Sequence, residues 1–290
     1  MAHETGKPII DQLKLCYIAD SEILNDLKSI DLCRFKDFGD FVFVRTNCHH
    51  FQYAYYVYTD KFGARKHIAS ARFGRYGDDG TSNYFFYRIE NSVLYDTELL
   101  KISLSIPESL NMVFHNFTAL DIAVDVQTDV ARMMKRLWSR KDITTIINGK
   151  AVRDRRKIID NVHIVYSVCL DRVKTMTICI KQSKAKNDKT KGITVQAYNK
   201  SEEIAHSSHK QYISEYYGSP KRLYRLEVHL NNAEIQDYCK KCDMFQSLDM
   251  VFDDNLMSDM FYYHLASVIR YTKGRLKLDW KDIIRCNGRL

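Results

Sequence analysis

Three short segments place acidic, phenolic and basic side chains on single faces of alternating strands. In residues 120–125 a period of two puts Asp121 and Asp125 on one face and the apolar side chains on the other. The same alternation groups two further sets: Thr194, Gln196, Tyr198 and Lys200; and Arg225, Glu227 and His229. If these strands are neighbours, their polar faces form one cluster whose carboxylates suit Mg²⁺ or Mn²⁺ better than zinc. The alternative is an ordinary solvated sheet face with ion pairs.

A tyrosine in such a cluster could act as a nucleophile on DNA. A phenol has a pKa of about 10 and is a weak nucleophile at neutral pH. Lys200, about 7 Å along the strand from Tyr198, could stabilise the phenolate. A divalent ion on Asp121 and Glu227 would polarise a scissile phosphate and stabilise the leaving 3′ oxygen. The product, a 5′-phosphotyrosine, would conserve bond energy for rejoining, but chemistry alone does not choose among 19 tyrosines.

The composition is that of a basic, non-membrane protein. The 290 residues include 44 Lys and Arg against 36 Asp and Glu, a net charge of +8 that suits nucleic acid or describes a mildly basic soluble protein. No apolar run reaches the roughly 18 residues that span a bilayer, and the N-terminus has no signal-peptide pattern, so we expect a cytoplasmic location. Cys239 and Cys242 form a CxxC without the second pair that a structural zinc site needs.

Alternating aromatic and β-branched residues predict strands over 41–45, 51–59, 66–73 and 84–89, with turns at 60–63 and 77–80. This is the pattern of an antiparallel meander with one packed and one exposed face. A run of four tyrosines is more typical of sheet surface than of a platform on which bases stack: Tyr53, Tyr55, Tyr56 and Tyr58.

The rest of the chain mixes both kinds of element. Strands are predicted over 117–126, 162–170, 174–180, 192–198 and 221–230. A helix is predicted over 128–140, with Thr128 or Asp129 as its N-cap and four apolar residues on one face: Val130, Met133, Met134 and Leu137. Residues 181–191 carry five lysines and form either a solvated tip or a flap that contacts phosphates.

After residue 233 the pattern is mainly helical, most clearly over 255–271, and a basic segment follows at 270–277. The predicted fold class is α+β, with a large, mainly antiparallel sheet, flanking helices and a helical C-terminal region. The expected organisation is a flexible N-terminus (1–10), a nicking and DNA-binding domain (11–235), and a helical region (236–290) packed on that domain.

Three motifs in this order resemble the rolling-circle replication initiators of small plasmids and filamentous phages. They are Ala-Leu-Asp-Ile-Ala-Val-Asp at 119–125, Ala-Tyr-Asn-Lys-Ser-Glu-Glu-Ile at 197–204 and Tyr-Arg-Leu-Glu-Val-His-Leu at 224–230. The resemblance covers roughly residues 117–235. It implies an endonuclease and strand transferase that nicks one strand at a replication origin through a 5′-phosphotyrosine and later rejoins it.

By position, the resemblance assigns catalysis to Tyr198 and Lys200, and Mg²⁺ or Mn²⁺ ligation to Asp121, Glu227 and Asp125. The implied partners are origin DNA, single-stranded or in a hairpin, and a helicase of a bacterial host, with a homodimer as a further possibility and no membrane. Leu120 stands where these families carry Arg, and His229 lies outside the shared pattern. Tyr166 is the reserve nucleophile.

Two other interpretations stay open at this point. One is a non-catalytic origin-binding protein that recruits a helicase; it would not need the Asp, Tyr and Glu geometry. The other is a conjugative relaxase, although the histidine motif of those enzymes is absent from the sequence. The catalytic interpretation predicts that Tyr198 lies within about 10 Å of the Asp121 and Glu227 carboxylates, so that one metal-bound phosphate can reach all three.

Overall fold

The computed structural model describes residues 3–61, 63–77, 82–152, 162–169, 172–180 and 192–286. The strands are β1 (Pro8–Ile18), β2 (Phe35–Phe38), β3 (Phe41–Thr46), β4 (Phe51–Thr59), β5 (Lys66–Arg75), β6 (Tyr84–Ile89), β7 (Val113–Val126), β8 (Thr144–Ile147), β9 (Lys150–Val152), β10 (Val162–Cys169), β11 (Arg172–Ile180), β12 (Thr194–Asn199), β13 (Tyr224–Asn231), β14 (Ile269–Lys273) and β15 (Leu276–Leu278).

The α-helices are α1 (Ser21–Lys28), α2 (Thr97–Leu104), α3 (Ile106–Ser109), α4 (Val130–Ser139), α5 (Lys200–Glu203), α6 (Gln211–Tyr216), α7 (Asn232–Lys241), α8 (Asp254–Val268) and α9 (Trp280–Arg285). Short 3-10 turns cover Asn91–Tyr95 and Leu248–Phe252, and a π turn covers Ile204–Ser208. None of the helices in the described ranges is long and apolar enough to cross a membrane.

The predicted fold class is confirmed. Eleven strands follow the order β10-β11-β12-β13-β7-β1-β6-β5-β4-β3-β2, mainly antiparallel, and a smaller sheet has the order β15-β14-β8-β9. The chain divides into two compact units. The first unit comprises Met1–Ile10, Asp121–Tyr238 and Met250–Leu290; the second comprises Asp11–Leu120 and Cys239–Asp249.

The second unit contains the predicted meander, β3 to β6, extended at β3 by the unpredicted strand β2, and consecutive strands pair antiparallel. Its inner face is buried and carries helices. The Tyr87 hydroxyl contacts Ser103 of α2 at 3.1 Å, and the Tyr55 hydroxyl donates to the Leu27 carbonyl at the end of α1 at 2.8 Å. The prediction of a surface position was therefore wrong for Tyr55, which is fully buried, and fits Tyr56, which is 44% exposed.

In the first unit, helices cover the apolar face of the strands that carry the motifs. α4 contacts β11, β12 and β13, and α8 contacts β12 and β13. The apolar residues predicted for one face of α4 are all buried, and Asp129 is the N-cap, since its carboxylate accepts from the Arg132 amide at 3.0 Å. The strand face beneath the helices consists of Met176, Ile178, Val195, Ala197, Leu226 and Val228, all fully buried.

The C-terminal region, predicted to be mainly helical, contains α8 and α9 and also two short strands, β14 and β15. α8 ends at Val268, and residues 269–273 form β14, which pairs antiparallel with β8. The basic segment then turns at Gly274, whose φ of +59° suits glycine, into β15. The Trp280 indole donates to the Ile269 carbonyl at 2.8 Å and holds α9 against this small sheet.

The N-terminal residues, expected to be flexible, form contacts within the first unit. The His3 ring stacks on Tyr216 with centroids 3.9 Å apart, and the Gly6 amide donates to the Asp125 carbonyl at 2.8 Å. β1 begins at Pro8.

Candidate functional site

The three motifs lie on adjacent strands in the first unit, in the order β12-β13-β7. On β12 and β13, Thr194 pairs with His229, Gln196 with Glu227, and Tyr198 with Arg225. Because directly opposed residues point to the same side of a sheet, these six side chains occupy the face opposite the buried apolar one. The predicted polar face therefore exists, and the open question is what its members contact.

Two contacts align β7 with this face. Asp121 contacts His229, and Asp125 contacts Arg225. The two aspartates are four residues apart on β7, and their partners are four residues apart on β13 in the reverse order. Ala123 of β7 therefore lies at the level of Glu227 and is fully buried.

Tyr198 and Glu227 are in direct contact. The Tyr198 hydroxyl donates to Glu227 Oε2 at 3.0 Å, well inside the expected separation. Both side chains are partly exposed. Tyr198 also lines an open groove of about 560 Å³ with residues from β11, β12, α5 and the π turn, among them Thr175, Gln196 and His206. A phenol beside a carboxylate in an open groove can lose its proton to that carboxylate and attack a bound electrophile.

Lys200 has a different position from the one expected. β12 ends at Asn199, whose side chain accepts from the Glu202 amide at 3.1 Å and so caps α5. Lys200 is therefore the first helical residue and not a member of the strand face. Its side chain is buried, its Nζ lies 2.9 Å from Glu203 Oε2, and the same Nζ is 5.6 Å from the centre of the Tyr198 ring. The Lys200 ammonium is therefore close to the Tyr198 ring, although Lys200 does not lie on the same strand face.

Asp121 is in contact with His229, which lies outside the pattern shared with the initiator families. The Asp121 Oδ1 and His229 Nδ1 atoms are hydrogen-bonded, and the side chains are 12% and 31% exposed. His229 and Glu227 are two residues apart on β13, about 7 Å along the strand, so the pair lies beside the Tyr198–Glu227 contact. The sequence placed His229 on the polar face but could not give its partner, because that contact depends on which strand lies next to β13.

Asp125 lies in a different environment from Asp121, although the resemblance implied the same metal-binding role for both. Arg225 donates to it through Nε at 2.7 Å and through Nη2 at 2.5 Å, and both side chains are fully buried. Burial and the Asp125 carboxylate raise the pKa of the neighbouring Tyr217. Both Asp125 oxygens thus bind a guanidinium, which is the arrangement of a structural ion pair. The prediction that Asp125 ligates a metal is not supported by this geometry.

A divalent ion would fit Asp121, His229 and Glu227 by donor chemistry, because carboxylate oxygens and an imidazole nitrogen bind Mn²⁺, and carboxylates bind Mg²⁺. In the part of the chain that the structure describes, no three acidic, His or Cys side chains are already gathered as a metal-binding group. The ion would therefore be held by Asp121 and His229. Glu227 lies two residues from His229 on β13.

Two predicted features lie partly or wholly outside the described residues. The lysine-rich loop at 181–191 is outside them. The backbone of Tyr166, the reserve nucleophile, pairs with Met176 on β11, and Tyr198 pairs with the adjacent Thr175. The Tyr166 side chain lies outside the part of the chain that the structure describes.

No model of a known protein family matches this chain, and no curated protein matches it significantly. The case for a function therefore depends on the geometry of the site.

Proposed function

We propose that this protein nicks one strand of DNA at a replication origin with Tyr198 as the nucleophile, and later rejoins it, as a rolling-circle replication initiator. The observation that carries the proposal is the 3.0 Å hydrogen bond that the Tyr198 hydroxyl donates to Glu227. Tyr198 itself lines an open groove. The chain's net charge of +8 is in keeping with a DNA substrate.

In the proposed step Glu227 is the base. Tyr198 Oη forms a bond to the scissile phosphorus, the bond from phosphorus to the 3′ oxygen breaks, and the phenolic proton passes to Glu227. The leaving 3′ oxygen takes up a proton and becomes the free 3′ hydroxyl. Rejoining is the reverse: the 3′ hydroxyl attacks the phosphotyrosine, and Tyr198 recovers its proton from Glu227.

The remaining residues of the site support Tyr198 and Glu227. Asp121 and His229 would hold Mg²⁺ or Mn²⁺, which when bound supplies a positive charge that polarises the phosphate and stabilises the leaving oxygen. The Lys200 ammonium, 5.6 Å from the ring centre, favours negative charge developing on the phenol. Asp125 and Arg225 fix the register of β7 against β13.

The test uses a pool of single-stranded oligonucleotides taken from the replicon that encodes the chain, with Mn²⁺. Because the proposed intermediate joins tyrosine to a 5′ phosphate, a label on the 3′ end should travel with the protein on a denaturing gel, and a label on the 5′ end should not. Tyr198→Phe should abolish the adduct while leaving DNA binding within about twofold of wild type, since only a hydroxyl is lost.

Two further variants make the result specific. Glu227→Gln should keep the hydrogen bond acceptor but slow adduct formation by 10²-fold or more, the usual size of a lost general base, about 10²–10⁴. Tyr224→Phe, which removes a hydroxyl next to Asn199 on the same strand pair, should react like wild type. An adduct that persists in Tyr198→Phe and disappears in Tyr166→Phe would move the nucleophile to Tyr166. A wild-type protein that binds the DNA without any adduct would favour the non-catalytic origin binder.

A further inference from the structure

The second unit carries an exposed sheet face that the nicking site does not use. Its members come from four adjacent strands, β1, β6, β5 and β4. We call it the outer face and define it by Lys14, Tyr56, Arg72, Tyr84, Phe86 and Arg88. The other side of these strands is the buried inner face, which carries α1 and α2.

Strand register fixes how these residues adjoin. Arg88 of β6 is directly opposite Lys14 of β1, and Phe86 of β6 is directly opposite Arg72 of β5. Arg72 and Arg88 are therefore diagonal neighbours, about 7–8 Å apart. Tyr56 lies opposite Ser70 on the adjoining strand pair, which extends the face by one more strand. Cations and aromatic rings therefore lie side by side on this surface.

The aromatic members are available to a partner. Tyr56 and Tyr84 are each 44% exposed. Phe86 is partly exposed and meets the Phe51 ring edge to face, with centroids 5.6 Å apart. A shallow cavity of about 180 Å³ opens at this point, and its lining includes Lys14, Arg72 and Arg88.

The charge of the face has one sign. The Arg72 guanidinium lies 5.8 Å from the Phe51 ring centre, and within the described ranges neither Arg72 nor Arg88 forms an ion pair. Glu90, two residues beyond Arg88, has its carboxylate 3.9 Å from His67. The cavity lining contains three cations and no carboxylate. A partner complementary to this surface carries regularly spaced negative charges and flat apolar groups.

We propose that the outer face binds single-stranded DNA, with bases stacking on Phe86 and Tyr84 and phosphates contacting Arg72 and Arg88. Exposed aromatic rings interleaved with cations are how proteins hold single strands without reading sequence, because every base has a π face and every nucleotide has a phosphate. A duplex offers phosphates but no unstacked bases, and an acidic polypeptide offers charge but no flat rings at each unit. The face therefore favours a single strand over both.

The test is binding of fluorescein-labelled oligothymidylate, about 15 nucleotides long, to the full chain in a Tyr198→Phe background, so that nicking does not interfere. Phe86→Leu keeps an apolar side chain of similar volume and removes the π face. It should weaken binding about tenfold, within the range for one lost stacking contact, and leave binding of an abasic oligonucleotide of the same length unchanged.

Arg72→Gln with Arg88→Gln should weaken binding of both oligonucleotides and reduce the slope of log affinity against log salt by about 1.4, which is 0.7 for each lost phosphate contact. The matched control is Arg65→Gln with Lys101→Gln, which removes the same two charges from exposed ion pairs elsewhere in the second unit. This control should keep affinity within about twofold and change the slope little, since those cations are already paired with carboxylates.

Three results would overturn the proposal. One is equal loss in the Arg72/Arg88 variant and in the control, which would reduce the effect to net charge. Another is affinity for a duplex equal to that for the single strand. The third is competition by polyglutamate as strong as by oligothymidylate, which would assign the face to an acidic protein. Thermal unfolding of each variant separates lost binding from lost fold, and none of these results depends on whether Tyr198 is a nucleophile.

Discussion

Asp125→Asn should destabilise the first unit far more than an ordinary surface change, although it alters one atom. Asp125 and Arg225 are fully buried and joined by hydrogen bonds of 2.7 and 2.5 Å. The amide leaves the Arg225 charge buried without its counter-charge. Breaking a buried pair from one side costs about 3–5 kcal/mol. Since a domain is stable by only about 5–15 kcal/mol, a loss of this size would move its unfolding midpoint substantially.

The assay follows tryptophan fluorescence during urea unfolding. The chain has two tryptophans, Trp138 in α4 and Trp280 in α9, and both are buried in the first unit. The signal therefore reports on the unit that contains the mutation, even if the two units unfold separately. The matched control is Asp282→Asn, which removes one partner of the exposed Arg285–Asp282 pair and should cost less than about 1 kcal/mol.

A double replacement separates a paired charge from a packed side chain. Asp125→Leu with Arg225→Met removes both charges together and should cost less than Asp125→Asn alone, because replacing a whole buried pair is often near neutral. A cost below about 1 kcal/mol for Asp125→Asn would refute the ion-pair interpretation. The ion-pair interpretation would also be refuted if Mn²⁺ stabilised the wild type and Asp125→Asn alone abolished that stabilisation. Asp125 would then be a metal ligand.

Three smaller predictions test other parts of the fold. Burial, with the charge of Asp279, raises the pKa of Tyr262 to about 12. The protonated phenol therefore contributes its full stabilisation below pH 10.0, and this stabilisation is lost as the pH rises to about 12. Alkaline unfolding of Tyr262→Phe should lack this loss. Burial raises the pKa of Cys16 to about 11, so a thiol reagent should label exposed Cys242 first. Asp129→Ala should cost about 1 kcal/mol in the same urea assay.

The sequence was most informative where local pattern decides structure. The meander strands alternate clearly and form within one or two residues of their predicted limits, and the Asp129 cap was visible next to an amphipathic helix. The pattern also placed Tyr198 and Glu227 on polar strand faces. The prediction that Lys200 lies on the strand face was wrong, although the sequence contains a sign of the helix. Asn199 followed by Glu202 three residues later is a helix-start pattern, which makes Lys200 the first helical residue.

Features that depend on strand order could not be read in this way. A histidine at position 229 of an alternating strand faces one side of the sheet, but its contact with Asp121 requires β7 to lie beside β13, more than a hundred residues away in the chain. β14 is similar. Its residues continue a helical pattern, and pairing with β8 makes them a strand, because tertiary contacts override local propensity. Gly274 was the one local sign of a turn there.

Arg225→Lys tests whether the buried pair positions the site. On the proposed function, the Asp125–Arg225 pair near the end of β7 and the Asp121–His229 pair four residues earlier fix Glu227 against Tyr198. Lysine keeps the charge but cannot form the two-pronged contact, so β13 can shift while the unit stays folded. A shift near 1 Å is enough to slow a reaction about 10²-fold. We therefore expect slow adduct formation with nearly normal DNA binding. Wild-type rates in Arg225→Lys would mean that the pair stabilises the fold without positioning Glu227.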